Sequence, residues 1–171
     1  MRRVVVLALL VLAAAAPAVA SVGPRDSDDG TLSIRHARGM VAFNPIRGVV
    51  IGRFDRGRIL IKDPYPDDGN GASVWGCEHR RDLSDETPNP NDVFLACSGT
   101  DVRFRLVGGY YRAKIVGAGI SLSVVGHGVA TLDGRGDDTG APDGVYSIND
   151  QPYRSLPDYA EDFTIAAPPG G

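Results

Sequence analysis

Glycine recurs about every nine residues in two stretches of this chain: Gly39, Gly48 and Gly57, then Gly108, Gly117 and Gly126. Between these glycines the side chains alternate. Val102, Phe104 and Leu106 share one side of a strand with Arg103 and Arg105 on the other. Ile120, Leu122 and Val124 alternate with Ser121 and Ser123, and Tyr111, Ala113 and Ile115 oppose Arg112 and Lys114. Period-two alternation marks half-buried strands. Past the leader, Gly or Pro interrupts every stretch long enough for a helix. The fold class expected is all-β, an antiparallel β-sandwich or barrel of short hairpins. The nine-residue glycine spacing makes a β-solenoid the alternative.

Local signals place the turns. Asp55-Arg56-Gly57 lies between VVIGRF and RILIK, Gly108-Gly109 between FRLV and YYRAKIV, and Gly126-His127-Gly128 between ISLSVV and VATL. Each reads as a hairpin tip, as does Asn149-Asp150 before QPYRSL. Residues 30–63 and 99–133 also resemble each other. Gly30-Thr31 matches Gly99-Thr100, Leu32, Ile34, Arg35 and Gly39 match Val102, Phe104, Arg105 and Gly109, and Ile59 and Asp63 match Val129 and Asp133. Two four-stranded repeats could then face each other as a sandwich, with 64–98 as the crossover.

The chain opens MRRVVVLALLVLAAAAPAVA. Two arginines, a short apolar run and Ala18-Val19-Ala20 are the parts of a secretory signal peptide over 1–20, cleaved before Ser21. Residues 21–29 read as a flexible segment, 30–166 as a single all-β domain and 167–171 as a disordered tail. The expected location is the extracellular space or cell envelope. Cleavage removes Arg2 and Arg3 and leaves 16 basic against 21 acidic residues, a formal charge of −5. That balance argues against a nucleic-acid partner. Arginine outnumbers lysine 16 to 2, which reads as high-GC codon usage. Two cysteines, Cys77 and Cys97, read as one disulfide in an exported chain. Cys77, His79 and Cys97 do not have zinc-site spacing.

Two acidic loops carry oxygen donors. Asp133, Asp137, Asp138 and Asp143 lie in LDGRGDDTGAPDG, and Asp63, Asp67, Asp68 and Asn70 in DPYPDDGNG. Calcium takes six to eight such oxygens. The same residues are also those of any surface turn, and neither loop has an EF-hand spacing. The first loop is read as a strand connection, with calcium as its alternative; no other cofactor is expected. Arg135-Gly136-Asp137 is a tripeptide that chance supplies readily in this composition. There is no Gly-x-Ser-x-Gly nucleophile elbow, and His36, His79 and His127 stand apart in sequence. No catalytic residue is assigned. Trp75, Tyr110, Tyr146 and Tyr153 are the candidates for a ligand surface.

The segments Gly48 to Asp63 (GxVxGRxDxGxxxIxD), Phe104 to Gly109 (FRxxGG) and Val125 to Gly134 (VGxGxxTLDG) resemble small exported proteins of high-GC Gram-positive bacteria. The resemblance implies export and an all-β fold and supplies no activity. The expected role is a non-catalytic binding or structural module of the envelope. Its partner would be a cell-wall polysaccharide or an envelope protein. The alternatives are a secreted hydrolase and a polymerising envelope protein.

Overall fold

The alternation runs through the glycines rather than stopping at them. In the computed structural model, which describes residues 28–65, 71–84, 93–135 and 143–168, two strands are very long. β1 spans Gly30–Asp63 and β4 spans Val93–Gly134. Five short strands complete the fold: β2 (Gly71–Trp75), β3 (His79–Asp82), β5 (Val145–Ile148), β6 (Arg154–Ser155) and β7 (Glu161–Ile165). All pairings are antiparallel.

Each residue along most of β1 has two partners on β4. Val50 pairs with Leu106 on one side and Val124 on the other, and Ile59 with Cys97 and Ile115. The two partners stand about 18 residues apart along β4. β1 and β4 therefore form a two-stranded ribbon wound on itself, one turn every 18 residues or so, with a bend at every ninth. The bends are the glycines. Gly48 lies between Gly108 and Gly126, and Gly57 between Gly99 and Gly117. At Gly48, φ is +127° and an added Cβ would lie 2.2 Å from the Val125 carbonyl oxygen. At Gly126 it would lie 2.0 Å from the carbonyl oxygen of Arg47. Backbone meets backbone at these corners, and no side chain fits between.

The winding produces two facing layers, the topology of a jelly roll. The first layer orders β6, β5, then 30–38, 117–125, 48–56, 99–107 and β2. The second orders β7, then 126–134, 39–47, 108–116, 57–63, 93–98 and β3. Alternate residues of both layers point between them. Phe43, Phe54, Phe104, Tyr111, Ile59 and Ile115 are among the core residues buried almost completely. Gly52 also faces inward, and the Phe104 ring occupies the space its side chain would need.

The all-β antiparallel sandwich expected from the sequence is what the chain forms. The local turns differ from expectation. At Gly57, Gly108-Gly109 and Gly126-His127-Gly128 the chain rounds a corner and continues, because its hydrogen-bond partners lie on the other arm and not across a tip. Residues 30–63 and 99–133 are not two facing units. They are the two arms of one ribbon, interleaved in both layers, and each crosses the same glycine corners. The Asn149-Asp150 turn does close a hairpin, between β5 and β6. Both residues have positive φ, and Gln151 N donates to Ile148 O at 3.0 Å.

Each open side of the sandwich is laced by a separate device. On one side, β2 ends the first layer and β3 ends the second. The Cys77–Cys97 disulfide joins the segment between them to the 93–98 run, with Cα atoms 5.5 Å apart. On the other side, β6 ends the first layer outside β5 and β7 ends the second, and Tyr146 of β5 packs on Phe163 of β7 with ring centroids 4.9 Å apart. Asn149 spans the same gap: it accepts from Thr31 N and donates to Ala166 O, each at 2.9 Å. Ala167 N donates to Asp28 O, which pins the two ends of the domain together. The signal-peptide assignment at 1–20, and all but residues 28–29 and 167–168 of the flexible segment (21–29) and tail (167–171), lie outside the described residues. No helix among the described residues is long and apolar enough to cross a membrane.

Candidate functional site

The outward side chains of the first layer combine aromatic, basic and hydroxyl groups. The register sets them in rows across the strands. One row runs Trp75, Arg103, Arg53, Ser121, and the next runs Ser73, Arg105, Ile51, Ser123, Ser33, Ser147. Arg53 and Arg103 stand directly opposite each other on adjacent strands. Like charges in that position repel. Neither arginine, nor Arg105, makes an ion pair among the described residues. The acids on the same two strands, Asp55 and Asp101, lie between the Phe54–Val102 and Arg56–Thr100 pairs, toward the Gly57 corner, where the Asp55 carboxylate packs over Gly119.

These residues line an open groove of about 750 Å³ that includes Ser33, Arg35, Ile51, Trp75 and Ser121. Trp75 is 55% exposed and Ile51 48%. A second depression continues it past Ser33, Arg35 and Ser123 to Tyr153. Tyr153 sits under the Arg35 guanidinium, 4.4 Å from ring centroid to Cζ, and its hydroxyl lies 2.9 Å from Ser33 Oγ. The left-handed turn at Asn149-Asp150 swings it there. The face thus has an aromatic ring at each end, arginines between them and serine hydroxyls along one side. Such a set can stack on a flat apolar surface and donate charge-assisted hydrogen bonds to anions.

The other aromatic candidates lie elsewhere. Tyr110 is on the outside of the second layer. It packs edge-on against Tyr65 at 6.2 Å, with Arg47 5.7 Å from its ring centroid, beside a groove that Pro45, Lys62 and Arg112 also line. Tyr146 is only 9% exposed and belongs to the seam against Phe163. It presents no surface to a ligand, because its strand turns that face inward. Trp75 and Tyr153, named from the sequence as aromatic ligand-surface candidates, lie on this face, and alternation turns Arg103 and Arg105 outward without assigning them to a site. Arg35, Arg53, Arg103 and Arg105 are scattered in sequence, and only the winding brings them together.

Of the proposed calcium ligands, Asp137 and Asp138 lie outside the described residues, as do Asp67, Asp68 and Asn70. Asp143 is buried and committed to structure: Arg38 Nε reaches its Oδ1 at 3.1 Å, and Arg38 N donates to its carbonyl at 2.8 Å. Asp133 is half-buried, paired with Met40 beside the Gly134 corner. Asp63 is buried and accepts from Tyr65 N at 3.0 Å. The register puts Asp63 toward the Gly108 corner, at the opposite end of the layer from Asp133. Among the described residues no three His, Cys, Asp or Glu side chains cluster to hold a metal.

The histidines do not converge. His127 Nδ1 lies 3.4 Å from Asp29 Oδ1 at a corner, while the His36 backbone, at φ +53°, donates its N–H to Ser121 Oγ. No hydroxyl bonds to a histidine ring among the described residues. No protein-family model, curated protein or solved structure matches the chain.

Proposed function

We propose that this protein is an exported, non-catalytic binding module that holds a polysaccharide of the cell envelope or its surroundings on the outer face of its first layer. The observation that carries the reading is the Trp75-to-Tyr153 groove. Pyranose rings present flat apolar faces flanked by hydroxyls. A groove with exposed rings at both ends and Ser33, Ser121 and Ser123 between offers stacking and hydrogen bonding in alternation. The signal-peptide pattern and the disulfide fit an oxidising compartment.

Trp75 is the only tryptophan in the chain, so its fluorescence reports directly on this face. Titration of the mature, oxidised protein with solubilised envelope polysaccharide should change that emission saturably. Tyr153→Ala should weaken the response. A protein that binds the polysaccharide on a column while Trp75 emission stays constant would place the site elsewhere. Absence of binding to any polysaccharide would end the reading.

A further inference from the structure

The face described above carries more positive charge than a neutral sugar requires. Arg53 and Arg103 are opposed across adjacent strands, and Arg105 projects from the same face two residues beyond Arg103. Within a sheet, opposed like charges cost stability. Natural sequences relieve such pairs with neighbouring acids, yet no ion pair reaches these three among the described residues. The chain as a whole has an excess of acid, with a formal charge of −3. On this layer Arg53, Arg103 and Arg105 stand together and line the groove. Where sequence breaks a local rule, the site is where function is expected.

We infer that the groove binds an acidic polysaccharide, a glycan bearing uronate carboxylates, laid across the strands from Trp75 toward Tyr153; this rests on the binding reading above. Arginine suits the task. Its planar fork pairs with a carboxylate through two parallel N–H donors, and it is more weakly hydrated than lysine. Neighbouring strands are spaced about 4.8 Å apart and alternate residues on a strand about 6.8 Å. Arg103 and Arg53 on adjacent strands and Arg35 two strands farther on step across the strands in the direction of the ligand, with Arg105 beside Arg103 along its own strand, a spread that suits a chain bearing carboxylates on several sugars. Arg35, stacked on Tyr153, extends the charge to the far end. The net acidity of the protein disfavours approach of a dense polyanion such as nucleic acid, whereas the groove itself accepts a sparser one.

The test uses the mature, oxidised chain and two probes, polygalacturonate and the neutral glucan dextran, with Trp75 emission as the readout. Polygalacturonate should give a saturable change that weakens about tenfold or more in Arg53→Gln/Arg103→Gln and again in about 0.5 M salt. Dextran should bind at least tenfold more weakly, on the same scale. Both arginines are exposed, so the double variant should keep its near-ultraviolet circular dichroism. Equal affinity for the two probes, or an unchanged double variant, would overturn the acidic-ligand inference and leave the polysaccharide-binding reading intact. Silence with both probes and with envelope polysaccharide would remove both. Displacement of polygalacturonate by single-stranded DNA at equal charge concentration would also overturn the inference and assign the face to nucleic acid.

Discussion

A methyl group at Gly48 would collide with the carbonyl oxygen of Val125, and the Gly48 backbone already stands at φ +127°. Gly48→Ala is therefore expected to cost about 1–3 kcal/mol for conformation alone, with further loss as the corner opens. Gly52→Ala tests a different cause, since its Cβ would meet Phe104 Cζ at 2.5 Å inside the core. Overpacking of that kind costs about 1–3 kcal/mol. Urea unfolding of the two variants checks both values; a cost near zero at Gly48 would contradict the corner geometry. Glu78 offers a pH handle. Its carboxylate accepts from Thr100 Oγ1 at 2.6 Å and from Thr100 N at 3.1 Å, and these bonds hold its pKa below the ordinary glutamate value. A lowered folded-state pKa contributes stability above the ordinary value, lost as pH falls through the lowered one. Glu78→Gln should flatten the acid limb of a stability–pH curve in that window; an unchanged slope would mean the Thr100 contact does not persist in solution. At this scale the sequence was partly legible. Alternation correctly placed Val102, Phe104 and Leu106 inside and Arg103 and Arg105 outside. It could not say that Gly57 turns a corner rather than reverses the chain, because positive φ suits both. That choice is made by partners some forty residues or more away.

At the scale of elements, the molecule is a ribbon whose two open sides are closed by separate stitches. The disulfide holds the β2–β3 segment against the 93–98 run, and closing a loop of that length is worth about 3 kcal/mol. Cys77→Ser/Cys97→Ser should lose about that much. Amide exchange should rise first in β2 and β3, before the wound ribbon. Uniform exchange across the molecule would show instead that the stitch supports the whole core. On the other side, Asn149→Ala removes two side-chain hydrogen bonds and a residue suited to positive φ, an expected loss of about 2 kcal/mol. The terminal strands are poor templates for further pairing. β6 has two residues, and β3 (HRRD) is exposed throughout and carries Arg80, Arg81 and Asp82, features that blunt strand-edge assembly. The sequence made the disulfide and the Asn149 turn readable because both are local or countable. The interleaving of 30–63 with 99–133 was not readable. Two arms that cross the same corners acquire the same glycine spacing, and so look like a duplication.

At the scale of the whole molecule, winding has a kinetic consequence. No β1–β4 pair joins residues fewer than 30 positions apart, so loop-closure entropy precedes most of the stabilising contacts. Refolding of the oxidised protein is expected in the range of milliseconds to seconds, and a microsecond phase with full amplitude would contradict the long-range register. The winding also assembles the arginine face on which the proposed function rests. The abundance of arginine over lysine does not by itself collect Arg53, Arg103 and Arg105 on one side of one layer. The most direct measurement is a two-dimensional NMR titration of the ¹⁵N-labelled protein with polygalacturonate oligosaccharides, following the Trp75 indole and the arginine Nε–H signals. The proposed acidic-glycan site predicts shifts confined to Trp75, Arg35, Arg53, Arg103, Arg105 and their row neighbours. Shifts centred instead on Tyr65 and Tyr110, on the opposite layer, would contradict that claim.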